Sequence, residues 1–130
     1  MIVTDASVIL EILLQTPAAA RIEDRIFAPR ESLHAPHLID VEVAQVLRRY
    51  VARGEMYSDR ARMSLDLFSS FPITRYSHEP LISRIWALRT NLTAYDAAYV
   101  ALAEGLGAVL LTRDERLSKA PGNRATVELI

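Results

Sequence analysis

The sequence predicts an α/β fold: a three-layer α/β/α sandwich around a mainly parallel sheet of four to five strands. Two observations predict it. Short β-branched or aliphatic runs alternate with helical patterns along all 130 residues, the arrangement that lays parallel strands side by side with helices on both faces. The stretch Leu92 to Leu117 also reads as a buried helix, a glycine stop and an apolar strand, with Asp96 and Asp114 at its two outer ends. A helix descending at about 1.5 Å per residue and a strand climbing back at about 3.3 Å per residue return those two carboxylates to one edge of the sheet.

Taken in order, Met1 to Thr4 is the first strand, and the apolar positions Val8, Ile9, Ile12 and Leu13 after Asp5 take helical spacing. Pro17 ends that helix and starts another, Ala18 to Phe27. Ser32 to Ala35 reads as a second strand stopped by Pro36, and Leu38 to Arg53 as a long helix with Ile39, Val43, Val46, Leu47 and Tyr50 in one stripe before Gly54. Glu42 flanks that stripe. A helix from Ser58 to Ser70, a strand from Phe71 to Tyr76 and a helix from Glu79 to Thr90 burying Leu81, Ile85, Trp86 and Leu88 come next. After the Leu92 to Leu117 unit, Thr126 to Ile130 forms the last strand. There is no repeat and no linker, so residues 1–130 are expected to form a single domain.

Composition narrows the chemistry. Without cysteine there is no disulfide framework, thiolate metal site or cysteine nucleophile. His34 and His37 straddle Pro36, which breaks the helix that would aim both rings at one ion. The net charge of −1 removes a global basic footprint, so any contact with nucleic-acid phosphate must be local. The cations are fourteen arginines and Lys119; arginine's fork suits phosphate, and a GC-rich genome accounts for the same bias. The opening MIVTDASVILEILL has no basic n-region and carries Asp5 and Glu11, which predicts neither a secretion signal nor a membrane span, and hence a cytoplasmic protein.

In a parallel sheet, ligands gather outside the carboxyl ends of the strands. Asp5, Glu42, Asp96 and Asp114 come from four separate segments and are predicted to meet at that edge. Each has an ordinary structural role open to it. Asp5 and Asp114 can cap the helices that follow, Asp96 completes a capping box with Thr93, and Glu42 can sit exposed beside its stripe. Together they are costly, because two unit charges about 4 Å apart repel by roughly 4 kcal/mol at an effective dielectric of 20. Oxygen ligands without thiolate or paired imidazole call for a hard cation, Mg²⁺ or Mn²⁺.

Three blocks carry a resemblance: VTDASVILEIL at Val3 to Leu13, LIDVEVAQVLRRY at Leu38 to Tyr50, and LTAYDAAYVALAEGLGAVLLTRDERL at Leu92 to Leu117. With them the chain resembles PIN-domain ribonucleases, and more narrowly the VapC-type toxins of bacterial toxin–antitoxin pairs. The resemblance implies a PIN-like sandwich and a divalent-metal site formed by Asp5, Glu42, Asp96 and Asp114, supported by the hydroxyls of Ser7 and Thr112. It further implies an RNA substrate cut to leave a 5′-phosphate and a 3′-hydroxyl, a small cognate antitoxin that blocks the acidic groove, and a homodimer for which Leu10 and Leu14 are available. Arg116 stands where some members carry a further acid.

The function expected is metal-dependent hydrolysis of RNA, with Mg²⁺ held chiefly by Asp5 and Asp96, and Glu42 or Asp114 as a base for the attacking water. Arg89, Arg113 and Arg116 flank the acids and are candidates to guide the RNA backbone, against a reading as solvated surface. Tyr95 either stacks an unpaired base or packs. The alternative is a catalytically silent binding domain on the same scaffold. A phospho-acceptor receiver domain is disfavoured because Lys119, the sole lysine, lies outside any strand end.

Overall fold

The computed structural model describes residues 1–130 and contains one five-stranded, all-parallel sheet flanked by seven α-helices. Strands β1 (Ile2–Thr4), β2 (Leu33–Pro36), β3 (Ile73–Tyr76), β4 (Val109–Thr112) and β5 (Thr126–Leu129) lie in the order β3-β2-β1-β4-β5. β1 is therefore central, with Val3 opposite His34 on one side and Leu110 on the other. All of its residues are buried, which is why the run reads as continuously apolar rather than alternating.

The helices are α1 (Ala6–Leu13), α2 (Ala19–Ile26), α3 (Leu38–Ala52), α4 (Ser58–Ser69), α5 (Ile82–Ala87), α6 (Ala94–Leu106) and α7 (Glu115–Lys119). α1 to α4 pack on one another, while α5 and α6 pack together, with α6 against β1, β2 and β4. The chain moves outward from β1 to β3 and then returns past β1 to β4; right-handed crossovers in the two directions place helices on opposite faces. That return makes the carboxyl ends of β1 and β4 the switch point of the sheet, where a crevice opens.

α6 is the central helix of its layer. Its residues Ala97 to Ala103 are all buried, five of them alanine or valine, so it can lie close to the sheet with no polar face. Thr93 caps its start, accepting from the Asp96 backbone N–H at 3.1 Å. Gly107 ends it with φ of 62°, the left-handed conformation that a side chain disfavours. The cap leaves Asp96 in the first turn at the carboxyl edge.

Several boundaries differ from expectation. β2 includes Pro36, which pairs with Tyr76. The ladder to β3 is maintained by His37 N–H donating to the Tyr76 carbonyl at 2.9 Å, and the proline lies past the last paired residue of β2 with β1, where a missing N–H is harmless. The helix expected over Glu79 to Thr90 is a 3₁₀ turn (Glu79–Leu81) followed by α5, which stops at Ala87. Ile85 and Leu88 are buried, but Trp86 is 66% exposed. Ile85 on this short helix and Leu88 just past its end face inward, which turns the neighbouring Trp86 outward with Ile82. β3 begins at Ile73 rather than Phe71, because Pro72 precedes it and Phe71 packs edge-on against Phe27 and Phe68 instead.

No helix is long and apolar enough to cross a membrane.

Candidate active site

Asp5 is the anchor of the site. It follows β1 directly, caps α1 and is 92% buried, since only 8% of its surface remains exposed. Each of its oxygens has a donor. Oδ1 accepts from Ser7 Oγ at 2.5 Å and from the Val8 backbone N–H at 3.2 Å. Oδ2 accepts from Thr112 Oγ1, at the end of β4. Burial raises the proton affinity of Asp5, and the bonds from Ser7, Thr112 and Val8 work against that rise.

Ser7 and Thr112 also reach the segment beyond β4. Ser7 Oγ accepts from the Arg113 N–H at 3.1 Å, and Thr112 Oγ1, fully buried, accepts from the Asp114 N–H at 3.0 Å. Two hydroxyls thus join the turn after β1 to the turn after β4. Asp114 itself caps α7, accepting from the Arg116 N–H at 2.9 Å. The Arg116 guanidinium lies across the same carboxylate, with Nη2 2.6 Å from Oδ2 and Nε 3.1 Å from Oδ1. Those bonds hold Asp114 below the usual carboxylate range.

Glu42 comes from the second turn of α3 and Asp96 from the first turn of α6. Burial raises both. A bond from Tyr99 opposes the rise at Glu42, and the charges of Asp5 and Asp96 add to it; the charge of Asp114 adds to the rise at Asp96, with Thr93 and Arg116 opposing. As the side chains stand, no group of three or more His, Asp or Glu residues is gathered tightly enough to hold an ion. The donor chemistry nonetheless fits a hard divalent cation, because every candidate ligand is a carboxylate.

One residue was missed in the sequence. Tyr99 is 98% buried and donates its hydroxyl to Glu42 Oε1 at 2.6 Å. Burial, followed by the Glu42 bond and the charges of Glu42, Asp5 and Asp96, drives its proton affinity far up, so it is a fixed donor. The signal was present: Tyr99 is three residues after Asp96, on the same helix face, and carries the only side-chain hydroxyl within the buried run Ala97 to Ala103.

The three arginines each have a partner. Arg113 pairs with Glu11 at 3.3 Å and also reaches the Ile130 carbonyl. Arg89 lies over Trp86, 4.8 Å from the ring centroid, and donates to its carbonyl at 2.9 Å. Only Arg116 touches an acid of the site. Tyr95 is 65% exposed and lines a mainly apolar groove of about 680 Å³ with Leu10, Leu38, Val41 and Val46, beside Ser7 and Glu42. The histidines bond elsewhere: His34 to Ser32 and Tyr76, and His78 to the Leu38 N–H.

The PIN domain family model matches residues 2–123. Ribonuclease VapC12 of Mycobacterium tuberculosis is 42% identical over 130 residues, covering 100% of this chain and 99% of that protein. VapC ribonuclease Mb0985 of Mycobacterium bovis is 44% identical over 118 residues, covering 91% of this chain and 89% of that protein. Among solved structures, VapBC2 from Rickettsia felis bound to a DNA fragment from its promoter superposes with a TM-score of 0.75 at 14% identity, over 99% of this chain and 98% of that one. Its likeness is one of fold. With the domain model spanning nearly the whole chain and full-length relatives above 40% identity, this chain belongs to the PIN-domain family, among the VapC proteins.

Proposed function

We propose that the protein is a metal-dependent endoribonuclease, the toxin of a toxin–antitoxin pair, which hydrolyses RNA phosphodiester bonds at the Asp5, Glu42, Asp96 and Asp114 edge. The observation that carries the reading is the pair of hydrogen-bonded links at the switch point of the sheet: Thr112 joins Asp5 to the Asp114 backbone, and Tyr99, three residues after Asp96, holds Glu42. The names of the full-length relatives, ribonucleases both, support the substrate class.

Asp5 and Asp96 are the residues that would chiefly hold Mg²⁺ or Mn²⁺, with Glu42 and Asp114 completing the set. When bound, the ion supplies charge neutralisation at the phosphoryl oxygens and a more acidic water. The chain supplies the rest. Ser7 and Thr112 fix the Asp5 oxygens, so the carboxylate does not need to reorganise. Glu42, raised in proton affinity by burial and by its neighbours, is the better placed of the two candidate bases, because Arg116 holds Asp114 in its ionised and weakly basic form. Tyr99 directs one Glu42 oxygen and leaves the other free.

A cognate antitoxin is the proposed partner, and the cytoplasm the proposed compartment. The solved toxin–antitoxin assemblies that share the fold, including the complex from Klebsiella pneumoniae, make such a partner the natural one to seek. The testing experiment is incubation of purified protein with total RNA, with Mg²⁺ or with chelator, followed by mapping of the cut ends. A metal-dependent, site-restricted set of 5′-phosphate ends is expected. An identical RNA profile in Mg²⁺ and in chelator would remove the proposal.

A further inference from the structure

Asp96 borders a second groove, on the side away from Tyr95. This groove, about 370 Å³, lies between the start of α6 and α7 and is lined by Asn91, Thr93, Asp96, Arg116 and Lys119 together with apolar side chains, Leu92 and Leu117 among them. The mainly apolar groove on the other side contains a single cation, Arg49. Both grooves expose mainly carbon, and the two flanks of the acidic edge differ in their cations: Arg116 and Lys119 on the α7 side, Arg49 alone on the other.

Arg116 and Lys119 are three residues apart on α7 and so share a face. Their side chains are 86% and 72% exposed. The net charge of −1 leaves no diffuse positive field to retain a polyanion, so retention must come from cations placed beside the acids. Lys119 is tied within α7 to Glu115, at 2.5 Å, a solvent-exposed pair of the kind that holds weakly and exchanges partners readily.

We infer that this groove binds the backbone phosphate next to the scissile one, with Lys119 and Arg116 as its cationic contacts and Asn91 and Thr93 as neutral donors. The inference rests on the ribonuclease reading. It gives the RNA strand a direction across the edge, because the side with two cations lies toward α7 and the side with Arg49 alone toward α1 and α3. It also assigns a role to Lys119, which takes no part in the acid site, and makes Glu115 a competitor of the RNA for that lysine.

The test is fluorescence anisotropy of a labelled single-stranded RNA in chelator, where no cleavage occurs, across about 50 to 200 mM salt. Lys119→Gln should weaken binding severalfold and make the slope of log K against log salt shallower by about 0.7, the value for one phosphate contact on a single strand. Glu115→Gln, which frees Lys119, should tighten binding. Lys119→Arg should retain most of the affinity, and Arg62→Gln on α4 should match the unaltered protein. Unchanged affinity and slope in both Lys119→Gln and the Arg116→Gln/Lys119→Gln double variant would overturn the inference. The same preparations are assayed for RNA cleavage in Mg²⁺: cleavage with unaltered binding removes the groove alone, whereas an unaltered protein that neither binds nor cuts RNA removes the groove and the ribonuclease reading together.

Discussion

The Tyr99 hydroxyl donates to Glu42 Oε1 at 2.6 Å, joining the buried centre of α6 to the second turn of α3. This one bond connects two of the acid-bearing helices by a group that is not itself an acid. Tyr99→Phe removes the donor and leaves a half-buried carboxylate with one partner fewer. A stability loss of about 1.5–3 kcal/mol is expected, the range for a hydrogen bond to a charged group. Chemical denaturation measures it, and the cleavage rate should fall with KM for RNA little changed.

Glu42 makes the opposite prediction for the metal-free protein. Its proton affinity is raised by burial, with the Tyr99 bond opposing and Asp5 and Asp96 adding to the rise. A carboxyl whose folded pKa lies above its unfolded value gives stability that is fully present below the unfolded pKa and is lost as pH rises through the folded one. Glu42→Gln keeps an acceptor for Tyr99 and removes the charge. In chelator the variant should melt above the unaltered protein at neutral pH, and the gap should close in acid, where Glu42 protonates itself. Melting curves from pH 4 to 8 in about one-unit steps follow the crossover.

Thr112 joins Asp5 to Asp114. Its hydroxyl donates to Asp5 Oδ2 and accepts from the Asp114 N–H, in a fully buried position. Thr112→Val keeps the shape and loses both bonds, at a cost of about 2–3 kcal/mol from a buried amide and a carboxylate left short of partners. Thr112→Ser should restore most of it. In activity, the acid limb of the pH–rate profile should move upward in the valine variant, because a bond that favours ionised Asp5 has gone.

Arg116 acts on Asp114 from two residues away in sequence. With the guanidinium removed in Arg116→Gln, Asp114 loses the group that holds its proton affinity down, and Asp96 loses a cation that offsets its own rise. The Mg²⁺-dependent gain in melting temperature should therefore grow in the variant, since uncompensated acids profit more from an ion. A gain equal to that of the unaltered protein would separate Arg116 from the ion-binding residues.

Much of this arrangement was legible in the sequence. The alternation of strand and helix, the glycine stop at Gly107 and the capping residue Thr93 are local signals, and they position Asp96 and Asp114 without reference to the rest of the chain. Asp5 was legible because a strand end and a helix start meet there. The outward turn of Trp86 was not, since it depends on α5 stopping after six residues. Nor was the Tyr99 to Glu42 bond, which spans 57 residues and exists only once α3 and α6 are brought to the same edge. The partner taken by Arg113 was hidden for the same reason, being set by the distant Glu11.

The most direct test of the central claim is the rate of cleavage of a single-stranded RNA by the unaltered protein and by Asp96→Asn, each in Mg²⁺ and in chelator, with circular dichroism to verify the fold. The account predicts cleavage only by the unaltered protein in Mg²⁺, with Asp96→Asn folded and slower by about a thousandfold, the effect of losing several kcal/mol of charge stabilisation. Equal rates for the two proteins, or cleavage that persists in chelator, would contradict it.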